Sequence, residues 1–180
     1  VLVAYDFVDG RLKRKWTFDS NEPGNEDYAG QGNHNLRVGD VDGDGCDEIV
    51  YGSCTIDNDG TGLYTTGLGH GDAMHLSVFD PALGKLQVWD CHENKKDGST
   101  LRDAATGEIL FQIPSNMDVG RCMAADIDPN HKGLEMWSTG SKGIYNIKGE
   151  SINSSTRGVS VNMACWWDGD LLRELQNGNE

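Results

Sequence analysis

The sequence predicts an all-β fold built from β-propeller blades, and three observations predict it. Glycine is abundant and dispersed: 24 of 180 residues, nearly twice the usual ~7%, lie between short apolar runs rather than in one tract. About thirteen short strands can be read, and no convincing helix. An acidic loop recurs 86 positions apart, from Asp40 to Asp126. That is twice 43, inside the ~40–50-residue period of a four-stranded blade. The chain is therefore read as about four blades.

In chain order, the clearest strands are 1–5, 13–18, 35–38, 48–52, 75–79, 86–90, 108–112, 122–125, 135–138, 143–146 and 163–166, with 171–175 either a strand or a helical turn. Turn signals separate them: Asp9-Gly10, Asp59-Gly60, Gly84, Asp97-Gly98 and Thr106-Gly107, each supplying a residue that tolerates positive φ. One figure recurs as strand, glycine turn, strand: Val3 through Leu12, Ser77 through Leu86, and Leu101 through Ile109. All 180 residues read as one partial propeller domain. Because Val1-Leu2-Val3-Ala4-Tyr5 is already strand-like, the chain is expected to be a piece of a longer protein. No signal peptide is visible.

The second figure is the acidic loop itself. Asp40, Asp42 and Asp44 alternate with glycines, so side chains at positions one, three and five of the loop can point at one centre. Gly43 and Gly45 permit the left-handed backbone this needs. The Cys46 carbonyl and the Glu48 carboxylate can complete an oxygen shell, which suits calcium better than magnesium. Strands flank the loop and no Glu stands at position twelve, so it is not an EF-hand. A second copy offers Asp126, Asp128, Asn130, Leu134 and Glu135, and a worn copy is Trp167-Asp168-Gly169-Asp170. The competing reading is a solvated acidic turn.

Charge narrows the partners. Fifteen basic and 29 acidic residues give −14, which argues against nucleic acid and against anionic membranes. No stretch approaches the ~20 apolar residues of a membrane helix. The five cysteines form no CxxC pair, so a zinc site is not expected. Buried free thiols are the main expectation, although Cys46 and Cys54 could meet across a hairpin.

Histidine marks a further cluster. His34 follows Gly30-Gln31-Gly32-Asn33, His70 and Asp72 lie in a Gly-rich run, and His92-Glu93 closes a strand. Each stands beside a predicted strand. Equivalent strand ends of successive blades converge, so a mixed His/Asp/Glu metal site is sterically reasonable. Histidines bonded only to backbone would look the same in sequence.

Tyr28 through Leu36, the 40–48 loop, Leu68-Gly69-His70-Gly71-Asp72-Ala73-Met74-His75 and Trp166-Trp167-Asp168-Gly169-Asp170-Leu171 together resemble the rhamnogalacturonan lyases of polysaccharide lyase family 11. The resemblance runs through nearly the whole chain. It implies an eight-bladed propeller stabilised by calcium, a secreted or periplasmic location, and rhamnogalacturonan I, a pectic polysaccharide, as partner. It also implies a functional calcium site at His34, His70, Asp72 and Glu93.

The implied reaction is calcium-assisted β-elimination, in which a base removes the uronate C5 proton. Metal-bound histidines cannot serve as that base, which removes His34 and His70; His75 and His92 are the nearest candidates. Lys95, Lys96 and Arg121 are candidates for the polymer's carboxylates. Trp166 could stack on sugar, but core packing is the leading expectation for Trp166 and Trp167 alike. The rival reading is a non-catalytic calcium-binding propeller module that binds glycan or protein. The histidine cluster separates the two readings, since a purely adhesive repeat has no use for it.

Overall fold

The computed structural model describes residues 1–176; residues 177–180 lie outside the described part. Among the described residues it is all-β apart from one 3-10 turn, Glu26–Tyr28. The strands are β1 (Leu2–Val8), β2 (Arg11–Phe18), β3 (Arg37–Gly39), β4 (Glu48–Tyr51), β5 (Cys54–Ile56), β6 (Gly62–Thr65), β7 (Met74–Ser77) and β8 (Gln87–Cys91). They continue as β9 (Ser99–Asp103), β10 (Ile109–Ile113), β11 (Cys122–Ala125), β12 (Glu135–Ser138), β13 (Ile144–Tyr145), β14 (Ser151–Asn153), β15 (Met163–Cys165) and β16 (Glu174–Gln176). These sixteen exceed the expected thirteen by β5, β6 and β14, short strands of sequence Cys-Thr-Ile, Gly-Leu-Tyr-Thr and Ser-Ile-Asn with too few apolar residues to stand out.

The strands pair as three antiparallel meanders, β3-β4-β5-β6, β7-β8-β9-β10 and β11-β12-β13-β14, flanked by the hairpins β1-β2 and β15-β16. Four blades were expected; three four-stranded sheets and two two-stranded ones are found. The first hairpin turns at Asp9 and Gly10, both with positive φ (53° and 73°). Such a two-residue turn matches the right-handed twist of its strands.

The sheets stack face to face, and the middle sheet shows why. Its side chains alternate with period two. Trp89, Cys91 and Leu101 point to one face and pack with Cys122, Ala124 and Met136 of the third sheet. Val88 points to the other face and packs with Val50 and Met74. All five residues of β8 are buried, because both faces are covered. Indole N–H groups tie each sheet to the next: Trp89 Nε1 donates to the Trp137 carbonyl at 3.3 Å, and Trp137 Nε1 to the Ser160 carbonyl at 2.8 Å.

First strands lie side by side, β3 against β7, β7 against β11 and β11 against β15. This row has two ends. The connections from first to second strand, at 40–47, 78–86, 126–134 and 166–173, share one end. The segments that lead into β3, β7, β11 and β15 share the other. A four-residue strand spans roughly 13 Å, so groups at the two ends cannot meet.

The cysteines are all free. Cys54, Cys91 and Cys122 are buried as expected, but Cys46 is exposed and Cys165 half-buried. Cys46 sits in the polar 40–48 loop, away from Cys54 on β5. Burial pushes the Cys54 thiol up to about 12.

Candidate functional site

At the loop end of the sheets, one clasp recurs four times. The first residue of each second strand accepts a backbone N–H from the loop before it. Val41 N donates to Glu48 Oε2 at 2.9 Å, Asp80 N to Gln87 Oε1 at 3.1 Å, Ile127 N to Glu135 Oε2 at 2.8 Å, and Trp167 N to Glu174 Oε2 at 2.7 Å. The middle sheet has Gln, and its loop, from Asp80 to Gly84, carries no acidic cluster. Where the clasp is Glu48 or Glu135, the second oxygen, Oε1, is buried without a hydrogen-bond partner. Burial raises both carboxyl groups above their ordinary value, which is the cost of an unpaired buried charge.

Loop 40–48 closes around these oxygens. Asp40 accepts Gly43 N at 2.8 Å and Gly45 N at 3.1 Å, Asp42 accepts Asp44 N at 3.1 Å, and Asp44 accepts Cys46 N at 2.7 Å. Gly43 and Gly45 take φ of 85° and 90°, which lets the chain fold back. Oxygens of Asp40, Asp42 and Glu48 lie within 4.8 Å of one another. Asp44 instead turns one oxygen to Asn58 Nδ2 at 3.2 Å. The same compact triplet forms at Asp168, Asp170 and Glu174, in the loop that looked worn.

Loop 126–135 is more open. Asp128 accepts the Asn130 backbone N–H at 3.0 Å and approaches His131 Nε2 at 3.9 Å. Leu134 donates its N–H to the Phe79 carbonyl at 3.1 Å, and burial raises the Asp126 carboxyl. The extra residue of this loop separates its acids, leaving the unpaired Glu135 oxygen as its clearest cation-seeking group.

The opposite end of the sheets holds the histidines. His34 precedes β3, His70 and Asp72 precede β7, and Glu93 follows β8. His34 Nε2 lies 3.3 Å from Asp72 Oδ1, and His70 Nε2 lies 4.0 Å from the same oxygen and 3.6 Å from Glu93 Oε1. The two rings stand nearly perpendicular, 4.8 Å between centroids. Glu93 reaches His70 because its N–H donates to the His70 carbonyl at 3.2 Å, while Cys91 N pairs with the Ala73 carbonyl. His70 Nδ1 meets the Gly32 carbonyl. A carbonyl only accepts, so Nδ1 donates there, and Nε2 is the ring nitrogen turned toward the carboxylates. Ligands ~2.3–2.6 Å from one ion stand about 3–5 Å apart. Donors of His34, His70 and Asp72 lie within 4.8 Å of one another and match that spacing, while Glu93 stands outside this triplet and approaches it through His70.

A cavity of about 430 Å³ opens beside the cluster, lined by His34, Asp72, His75, Arg121 and Asn162 among others. Arg121 is exposed there, with Nη1 3.8 Å from Asp72 Oδ2. His75 Nε2 donates to the Cys122 carbonyl at 3.1 Å, which leaves Nδ1 as the basic nitrogen. Burial holds its pKa below the ordinary 6.5, so the ring is neutral at pH 7.

His92 differs. It is fully buried, with Nε2 2.9 Å from Thr100 Oγ1, and presents no surface to a polymer. Lys95 and Lys96 are exposed on the turn after Glu93 but do not line the cavity. Trp166 and Trp167 are not core residues: they are 61% and 82% exposed. Trp166 lies in the 166–173 connection under Arg173, whose Cζ is 3.9 Å from the ring centroid. That is the loop end, so it cannot share a ligand with the histidines. Asn162 and Asn35 line the cavity without having stood out in the sequence, since each is a lone amide beside a short strand.

The family model described as "Rhamnogalacturonan lyase family 11, C-terminal domain" matches residues 1–180. The chain is 56% identical to rhamnogalacturonan exolyase YesX and 54% identical to rhamnogalacturonan endolyase YesW, both of Bacillus subtilis. These alignments cover 97% and 99% of the chain but 30% and 29% of those proteins. The chain thus spans under a third of the length of these curated relatives. The solved structure of YesW superimposes with a TM-score of 0.90 at 53% identity, and that of a rhamnogalacturonan lyase from Bacillus licheniformis with 0.90 at 52%. Each covers 97% of this chain and 30% of the solved one.

Proposed function

This chain belongs to rhamnogalacturonan lyase family 11, and on that premise we propose that it supplies the cation-binding face of an enzyme that cleaves the rhamnogalacturonan I backbone between rhamnose and galacturonic acid by β-elimination. The observation that carries this reading is the convergence of His34, His70 and Asp72 beside an open cavity, with Glu93 against His70. In the same reading the stacked sheets are blades of an eight-bladed propeller, the acidic loops hold structural calcium, and the protein works secreted or in the periplasm.

The His34 and His70 imidazoles and the Asp72 carboxylate would hold the ion, with Glu93 beside His70 as a further oxygen donor. Calcium bound there supplies positive charge against the uronate carboxylate, where negative charge develops as C5 loses its proton. The protein's own groups do the rest. Arg121 offers its guanidinium to a second carboxylate of the polymer. His75, neutral with Nδ1 free, is placed to accept the C5 proton, after which the C4 oxygen departs and a C4–C5 double bond remains. With a net charge of −14, the protein repels anionic pectin except where a cation bridges them.

The test is absorbance of the unsaturated uronate when the whole enzyme that carries this chain is incubated with rhamnogalacturonan I; the isolated chain, under a third of the length of its relatives, is expected to show reduced activity or none. The protein is stripped by chelator and then reloaded with calcium, manganese or zinc, since this donor set also suits transition ions. A rise that calcium restores is expected. A folded, calcium-loaded protein that binds the polymer without any rise would replace this reading by the non-catalytic module.

The structural-calcium reading makes its own prediction at Glu135. Its raised carboxyl pKa favours the protonated form in the fold. In chelator, stability therefore falls as pH rises above about 4.5, where the unfolded chain ionises first. Glu135→Gln keeps an acceptor for the clasp, as Gln87 does, and sheds the charge. It is expected to raise stability at pH 7 in chelator by on the order of 1 kcal/mol and to lower it in calcium. Thermal unfolding in both conditions checks the reversal; a change of the same sign in both would refute a cation at this loop.

A further inference from the structure

A buried polar chain runs beneath the histidine cluster and has no part in the chemistry above. Asp90 and Arg102 are both wholly buried, with Arg102 Nη1 3.1 Å from Asp90 Oδ2. Asp90 stands opposite Thr100 and Val88 opposite Arg102, so the pair lies diagonally on the face of the middle sheet turned to the first. The other Asp90 oxygen accepts Asn33 Nδ2 at 2.8 Å. Arg102 also donates through Nη2 to the Gly52 carbonyl and through Nε to Tyr64 Oη at 3.5 Å. The chain thus begins on β6 and the β4–β5 turn, crosses between sheets and ends on Asn33.

Asn33 sits where it governs three donors. It directly precedes His34. Gly32, before it, provides the carbonyl that meets His70 Nδ1. Its amide oxygen also walls Gly71, the residue between His70 and Asp72: a Cβ at Gly71 would lie 3.0 Å from that oxygen and would collide with the Cys91 carbonyl. Asn33 itself is 2% exposed, so its orientation follows from its partners and not from solvent.

A buried ion pair is weak evidence for stability, because desolvation offsets much of the attraction. A fixed acceptor at a defined point is what such a pair does supply. We propose that Asn33, Asp90 and Arg102 are positioning residues that preset the 32–34 segment, and with it the facing imidazoles, for cation binding. This rests on the reading of His34, His70, Asp72 and Glu93 as a cation site. Loss of groups that orient metal ligands lowers affinity by about ten- to a hundred-fold.

The experiment uses the full chain with ring-¹⁵N histidine, whose five histidines give few enough signals to assign. Two variants are compared with the parent: Asn33→Ala, which leaves the ion pair intact, and Asp90→Leu combined with Arg102→Met, which replaces the pair by apolar side chains and removes the acceptor. Calcium chloride is titrated while the His34 and His70 ring signals are followed, and the ring-to-ring NOE is measured without metal. The calcium midpoint is expected to rise about ten-fold or more and the NOE to weaken, with the unfolding temperature of Asn33→Ala within a few degrees of the parent. An unchanged midpoint and NOE in folded Asn33→Ala overturns the proposal, even if the double variant fails to fold. If the parent's rings ignore calcium, the cation reading fails separately. The metal-free NOE then decides positioning: retained in Asn33→Ala it refutes the proposal, and lost it supports it.

Discussion

His70→Ala is expected to lower calcium-dependent cleavage at least about a hundred-fold, roughly 3 kcal/mol of transition-state stabilisation. His70 is the hub of the cluster, facing Asp72 and Glu93 through Nε2 while Nδ1 is held by the Gly32 carbonyl. Removing it leaves the remaining donors without a common centre. The side chain is about a third exposed (35%) and lies outside the hydrophobic clusters, so the fold should survive. Initial rates with calcium, together with unfolding temperature in chelator, check both halves. Near-parental cleavage in calcium would remove the cluster from the mechanism.

Arg102→Ala is expected to cost about 3–5 kcal/mol of stability, because it strands the wholly buried Asp90 carboxylate without its charged partner. The Gly52 carbonyl loses a charged donor in the same step. For a domain of this size that is a drop in unfolding temperature of roughly 6–20 °C. Urea unfolding by fluorescence or circular dichroism measures it. Asp90→Leu with Arg102→Met should be far milder than Arg102→Ala alone, since neither charge is then left unpaired. A double variant as unstable as the single one would mean that shape, not charge pairing, sets the energy.

Much of the fold was legible in the sequence for local reasons. Asp9-Gly10 demands positive φ, and the hairpin turns there. The strands at 122–125 and 135–138 were read at their observed limits, because both are apolar runs bounded by loop residues. The recurrence of the acidic loop marked equivalent places in the first and third four-stranded sheets. Its full extent was not legible: the clasp also occurs at Asp80 and Gln87, where no acidic pattern draws attention. Trp166 and Trp167 misled, because aromatic side chains usually bury and these two lie on a rim.

The division between sequence and tertiary structure follows the range of the forces. All-β architecture, turn positions and the acidic loops were determined by the sequence itself, because their causes act within a few residues: φ at glycine, period-two alternation and carboxylates that fold back on their own backbone. The meeting of His34 with His70 and Asp72, and of His70 with Glu93, was only a possibility in sequence, and the row of first strands brings it about. Asp90 and Arg102 stayed invisible because polar residues on a strand normally mark a solvated face, and Asn33 because it is a lone amide in the segment before β3. Here both faces of the middle sheet are covered, so one of them had to bury charge, and only the stacking of sheets determines where that charge finds its partner.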